Sequence, residues 1–313
     1  MASVALTVTE EKKRTRRKKS FQQKLYPFHF VLGALILYGF LYVIPSLMGI
    51  YYSFTDWSQF NQGIHFVGLA NYKAIFVEDN AGVHYVQYIF NTLKFTGITT
   101  VLKGVIALGL ALLVNKGIRF KNIHRGLIFL PAILSFIVTG LVFKSILHPT
   151  TGLLNHLLTS IGLEGLAQSW LTDPSWVFTS IYAVDAWKGV GYLMTIFLAG
   201  LQTIPEEYYE AAEIDGARFW RKLFHVTFPL LMPAVMVTTV LSVLYGLRVF
   251  DIIYVLTNGG PGDLTDVLYT VVLKTFGYGY YAVGSALSSI LFVFMIIIGY
   301  FMIQFMIKNE VEL

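Results

Sequence analysis

Six long, predominantly apolar runs constrain this chain more than any other feature: Phe28–Tyr52, Tyr88–Val114, Leu127–Leu147, Trp176–Leu201, Val226–Phe250 and Val283–Ile307. A helix needs about 20 such residues to cross a bilayer, and each run is long enough. The composition agrees, with 56% hydrophobic and 13% charged residues where soluble chains carry about 25% charged. The expected fold is therefore all-α, a polytopic membrane protein with six transmembrane helices. No cysteine is present, which excludes disulfides, thiolate metal sites and cysteine nucleophiles.

The net charge of +5 is a topology signal and gives no ground for expecting nucleic acid as a partner. Eight basic residues precede Pro27, four lie in Asn115–Arg125 and three in Gln202–His225. The segments between hold only Lys73, none, and Lys274. The positive-inside rule then places both termini and the Gln202–His225 segment in the cytoplasm. The basic start resembles a signal peptide, but the apolar run behind it exceeds the 7–15 residues of a cleavable core. It reads as an uncleaved first span. The expected organisation is a basic cytoplasmic tail (1–27), a first span with its outer loop (28–87), a main transmembrane domain (88–307) and a short cytoplasmic C-terminus (308–313).

Within the main domain, residues 202–233 form the longest charged, helix-forming segment. Pro205 suits the first position of a helix, and Glu206, Glu207, Glu210 and Glu213 favour its positive end. Asp215-Gly216 is a turn signal with Gly216 fit for the left-handed residue after a helix. A second short helix, Ala217–Phe224, carries Arg218, Arg221 and Lys222. A helix, a glycine turn and a helix is more than a connection between two spans needs, so the segment reads as a docking element. On the outer side, Asn61–Phe76 looks folded and Asn258–Asp263 is a dense turn signal.

Charges inside spans each need a reason, since insertion costs about 2.5–3.5 kcal/mol at a helix centre. Lys94 and Lys144 lie near span ends and can snorkel; Lys103 sits deeper with no partner evident. Asp185 and Lys188, and again Arg248 and Asp251, are three apart on one helix face and suited to pair. With Trp187, Tyr192, Tyr245 and Phe250 nearby, the alternative is a polar cavity with aromatic walls suited to sugars. The basic residues tilt that expectation toward tolerance of an anionic sugar. No G-x-x-x-x-G-K-[ST] phosphate loop, H-E-x-x-H or G-x-S-x-G is present, so the chain has no enzymatic motif of these kinds. The seven histidines show no metal-ligand spacing.

Glu210-Ala211-Ala212, Asp215-Gly216-Ala217, Phe228-Pro229-Leu230 and Pro233 resemble the EAA loop of binding-protein-dependent ABC importer permeases. Gly68-Leu69-Ala70-Asn71-Tyr72, Trp187-Lys188-Gly189 and Phe250-Asp251 through Gly259-Gly260-Pro261 resemble the carbohydrate branch, the oligosaccharide and glycerol-phosphate permeases. The resemblance covers about residues 27–307. It implies a type I importer fold in a bacterial or archaeal cytoplasmic membrane. The implied partners are a second, commonly different, permease, two ATPase subunits, an extracytoplasmic solute-binding protein, a carbohydrate and the lipid bilayer. No cofactor is implied for this chain, ATP and Mg being bound by the ATPases. By the same resemblance Glu210, Ala211, Ala212, Asp215, Gly216 and Ala217 couple to the ATPase. Asp185, Trp187, Lys188, Tyr192, Tyr245, Arg248 and Asp251 are candidates for the substrate pathway. Asn258, Gly259, Gly260 and Pro261 are candidates for binding-protein contact. The competing class is an ion-coupled secondary sugar transporter.

Overall fold

The computed structural model describes residues 28–77, 84–115 and 119–308; the basic tail 1–27 and all but the first residue of the C-terminal segment lie outside them. The chain divides into two compact units, one ending at Tyr52 and one beginning at Ser53.

In the first unit, α1 (Phe28–Tyr38) runs through a π-turn at Gly39–Val43 into α2 (Ile44–Tyr52). Pro45 has no N–H to give the carbonyl one turn back, and the turn before it widens to accommodate the loss. The Ser46 hydroxyl donates to the Tyr42 carbonyl at 2.7 Å. None of the side chains from Val31 to Tyr52 is buried. A helix apolar on all sides needs hydrocarbon around it.

The second unit contains α3 (Ala70–Phe76), α4 (Tyr85–Asn115), α5 (Lys121–Ile133), α6 (Phe136–Ile146), α7 (Leu153–Ser160), α8 (Val177–Gln202), α9 (Glu207–Ile214), α10 (Phe219–Lys222), α11 (Phe228–Leu230), α12 (Met232–Leu247), α13 (Asp251–Leu256), α14 (Leu268–Gly277) and α15 (Tyr281–Lys308). Fifteen of the 26 residues of α8 are buried, which makes it the central element. It packs along α4 and α5, while α4 also packs on α12, α6 on α13, and α14 on α15. The N-terminal half of α8 joins a cluster with Phe95, Val249 and Ile252. Its C-terminal half joins another with Ala107, Ala111 and Leu231. Tyr88, Leu268, Val271 and Leu287 centre a third.

Two of the expected spans are not straight. Among the described residues three helices are long and apolar enough to cross a membrane, or five if each bent pair is one span. The run Leu127–Leu147 breaks into α5 and α6 at an angle of 95°. Pro131 removes a helical donor, and Leu134 and Ser135 adopt extended backbone, freeing the last carbonyls of α5. The run Val226–Phe250 bends by 70° between α11 and α12, where Pro229 and Pro233 lie one turn apart and the latter cannot donate to the former's carbonyl.

Residues 53–77 are folded, as their sequence suggests. Thr55 and Phe66 form an antiparallel bridge. Asn71 donates from Nδ2 to the carbonyls of Ser53 and Thr55, at 2.8 and 2.7 Å. Across this segment the Asp56 carboxylate accepts the His65 backbone N–H at 2.7 Å. That hydrogen bond is the main cause that holds the Asp56 carboxyl below its usual range.

Candidate translocation cavity and the Glu210–Ala217 loop

The break between α5 and α6 lies against α8, and there a cavity of about 220 Å³ opens. Its polar lining comes from Lys103 of α4, Asp185, Lys188 and Tyr192 of α8, and Ser242 and Tyr245 of α12. Phe136, the first residue of α6, supplies an aromatic wall and stacks on Tyr245 at 5.6 Å between centroids.

The charges pair differently from the expected arrangement along one helix. Asp185 pairs with Lys103 across two helices, Nζ to Oδ2 at 2.8 Å, and both side chains are buried. The other oxygen, Oδ1, accepts the Tyr245 hydroxyl at 2.7 Å. The ammonium of Lys103 also lies 4.4 Å from the Tyr245 ring centroid. Lys188 instead donates to the Ala132 carbonyl at 3.4 Å, one of those freed where α5 ends, and sits 4.0 Å over the Phe136 ring. An α-helical i,i+3 spacing permits a pair; the cation on α4 reaches the carboxylate first.

Two glycines of α8 make this geometry possible by absence of bulk. A Cβ on Gly189 would lie 2.8 Å from Cδ of Lys103, so the bare backbone at residue 189 gives that side chain room to lie against α8. At Gly191 a Cβ would collide with the Ile128 carbonyl, so α5 approaches α8 backbone to side.

The remaining pathway candidates fall elsewhere. Trp187 points away from this cavity, edge-on to Phe143 at 5.0 Å, and lines a separate apolar pocket with Trp170 and Trp176. Among the described residues Arg248 and Asp251 make no ion pair; the Arg248 Nε donates to the Leu244 carbonyl at 3.4 Å. Both are exposed beyond the end of α12 and do not line the cavity. Lys94 and Lys144 are exposed, the former 5.3 Å over Phe178.

The second site is the loop between α8 and α12. The helix α9 begins at Glu207, so Pro205 lies just before the N-cap Glu206, two positions ahead of the first helical position expected for it. Its end is a Schellman motif: Ala217 N–H donates to Ala212 O at 2.8 Å and Gly216 N–H to Glu213 O at 2.9 Å. Gly216 takes φ +74°, the left-handed conformation that its place in this turn demands. The expected second helix is present but shorter, α10, running into a π-turn at Leu223–Thr227. Lys222 and Glu213 pair across the turn at 2.5 Å. Glu210, Ala211, Asp215 and Gly216 are exposed, Ala212 and Ala217 half-buried. The exposed apolar side chains Ile214, Trp220 and Phe224 lie beside them. The loop is nevertheless tied to the bundle, for Ile204 and Tyr209 pack in the same cluster as Leu201 and Leu231.

Residues 104–309 match the family described as binding-protein-dependent transport system inner membrane component. The chain belongs to that family. A probable ABC transporter permease of Pyrococcus horikoshii is 36% identical over 87% of this chain and 92% of its own length. A trehalose/maltose transport system permease of Thermococcus litoralis is 31% identical over 85% and 88%. The fold matches a chain of a bacterial alginate ABC transporter, crystallised with a periplasmic protein that carries an alginate pentasaccharide. The TM-score is 0.79 at 22% identity, covering 95% of this chain and 99% of that one. The resemblance carried by the EAA loop and the carbohydrate-branch motifs is borne out.

In this permease the Gly259-Gly260-Pro261 turn has an internal job. Gly259, at φ +88°, is buried with the Asp266 carboxylate packed directly against it; a Cβ there would displace that group. Asp266 in turn accepts Lys274 Nζ at 2.6 Å and the Thr270 hydroxyl at 2.7 Å. Asn91 of α4 donates to the carbonyls of Leu264 and Asp266 at 2.8 and 2.9 Å. Burial holds the Asp266 carboxyl above its usual range against these partners. Burial also opposes the charge of Lys274, but Asp266 and Asp263 together hold that ammonium above its usual value. Of the contact candidates, Asn258 is exposed, Gly260 and Pro261 half-buried, and Gly259 inaccessible to a partner.

Sequence reasoning missed Phe136, Ala132 and Ser242 as walls of the cavity. Hydropathy does not say where an apolar run will break; Pro131 is the local signal for this break, which brings Ala132 and Phe136 to the cavity.

Proposed function

We propose that this permease is the pathway-forming subunit of an ATP-driven sugar importer. It crosses the membrane six times, with α8 and the two bent pairs counted as spans, and has both termini in the cytoplasm. The Glu210–Ala217 loop seats on a partner ATPase, which supplies the hydrolysis this chain has no phosphate loop to perform. A second permease completes the pathway, and an extracytoplasmic solute-binding protein delivers the sugar. The sugar class rests on relatives named for trehalose, maltose and sn-glycerol-3-phosphate transport.

The observation that carries this reading is the loop itself. It is exposed where a partner can reach Glu210 and Ala211, yet anchored through Ile204 and Tyr209 to the cluster that surrounds α8. A push on α9 therefore reaches the helix that lines the cavity. Closure of the ATPase dimer would move α9 and α10 as one piece, since the Schellman turn and the Glu213–Lys222 pair join them.

Sugar uptake into vesicles that hold the assembled complex, with and without internal ATP, tests the reading. Uptake that requires ATP is expected. Uptake of the same rate in ATP-free vesicles under an ion gradient would establish the ion-coupled carrier instead.

A further inference from the structure

We infer that the cavity binds an anionic group of the substrate, a carboxylate or phosphate, on Lys188; the inference rests on the importer reading above. Lys188 is 94% buried, with 6% of its surface exposed. An ammonium has three N–H donors and no acceptor. One of these reaches Ala132 at 3.4 Å, a long bond, and the Phe136 ring covers another side. A cation over an aromatic ring gains less than a buried ion without a counter-ion loses.

The carboxylate that would supply the missing charge is already committed. Asp185 has Lys103 on one oxygen and the Tyr245 hydroxyl on the other. Lys103 and Asp185 cancel, so the cavity wall carries the single positive charge of Lys188, and among the described residues no second carboxylate lines it. The space in front of this ammonium is about 220 Å³, roughly seven waters at ~30 Å³ each and on the scale of one sugar unit. The Phe136 and Tyr245 rings are stacked on each other, which leaves Tyr192 to offer a ring to the C–H surface of a sugar and Ser242 a hydroxyl to its own hydroxyls. A neutral sugar satisfies the stacking and the donors. Only an anionic one also completes the charge.

The test uses the full complex in proteoliposomes with ATP inside and three probes: a uronic-acid disaccharide, sn-glycerol-3-phosphate and maltose. ATP-dependent uptake of at least one anionic probe is expected. Lys188→Met should raise its KM by roughly 10- to 100-fold, the equivalent of one lost hydrogen bond to a charged group at 1.5–3 kcal/mol. Lys188→Arg should restore it to within a few-fold, and the KM of any neutral probe that is carried should change far less in both variants. ATP-driven uptake of maltose alone, or of none of the three, overturns the inference. So does an equal loss for charged and neutral probes, which would mean that Lys188 only braces the end of α5. Uptake independent of ATP strikes at the importer reading instead.

Discussion

The carboxylate of Asp185 and the ammonium of Lys103 face each other at 2.8 Å from two different helices, α8 and α4, with both side chains almost wholly buried. Both groups have lost nearly all their contact with solvent, so each is the other's main compensation. Removing one partner, by Lys103→Met or Asp185→Leu, should destabilise the protein by about 3–5 kcal/mol, because a buried charge is left behind. The double variant should lose markedly less than the sum. Thermal unfolding of the purified complex in one detergent, for the parent, both single variants and the double, measures the coupling. Strict additivity would mean that the two groups do not interact.

Tyr245 adds the hydrogen bond that Asp185 accepts on its other oxygen. Tyr245→Phe keeps the ring against Phe136 and removes only the hydroxyl. The expected loss is about 1.5–3 kcal/mol, the value of a hydrogen bond to a charged group. The same unfolding measurement reads it. A fall in the Lys103→Met background as large as in the parent would argue against a shared network.

Gly216 has no neighbour within 4 Å of where a Cβ would stand, so its cost on substitution is conformational alone. Gly216→Val forces a branched side chain into φ +74°, at about 1–3 kcal/mol, and should distort the turn that joins α9 to α10. ATP hydrolysis by the assembled complex should continue while uptake per ATP falls at least severalfold. Gly216→Asn, which tolerates the left-handed region, should keep most of the coupling. Transport at the parent rate by the valine variant would remove the turn from the mechanism.

Gly191 tests space where Gly216 tests conformation. Gly191→Ala drives a methyl into the Ile128 carbonyl and must separate α5 from α8. A loss of about 1–3 kcal/mol is expected from overpacking of this kind. Gly97→Ala, on α4 with open space around it, should be neutral or slightly stabilising. Equal melting temperatures for the two variants would contradict the close approach.

The turn around Gly259 and Asp266 should show a pH dependence when its cation is removed. In Lys274→Met, Asp266 stays buried without a counter-ion, and its carboxyl, already raised by burial, should rise further. A raised carboxyl binds its proton more tightly in the folded state, so stability falls as pH climbs from 3.8 through the folded value. The variant should therefore be weakened at neutral pH, by about 2–4 kcal/mol given the partly exposed ammonium. It should approach the parent as pH drops toward 4. Melting curves of both between pH 4 and 8 would show the gap closing, and a constant gap would refute the pairing.

The sequence by itself determined the apolar runs, the family and the Glu210–Ala217 turn. Each of these is written in neighbouring residues: spans in local hydropathy, the turn in Gly216 and its helical flanks. The folded segment around Asn71 and the dense turn at Asn258–Asp263 were legible for the same reason. Only the tertiary structure decided which charges meet. Asp185 and Lys188 share a helix face, but Lys103, 82 positions away, takes the carboxylate, and Gly189 gives its side chain room against α8. The break at Leu134–Ser135, which hydropathy does not show and Pro131 only hints at, presents Ala132 and Phe136 to Lys188. Pairing across helices depends on which backbones can approach and which carbonyls are freed, and neither is a property of local sequence.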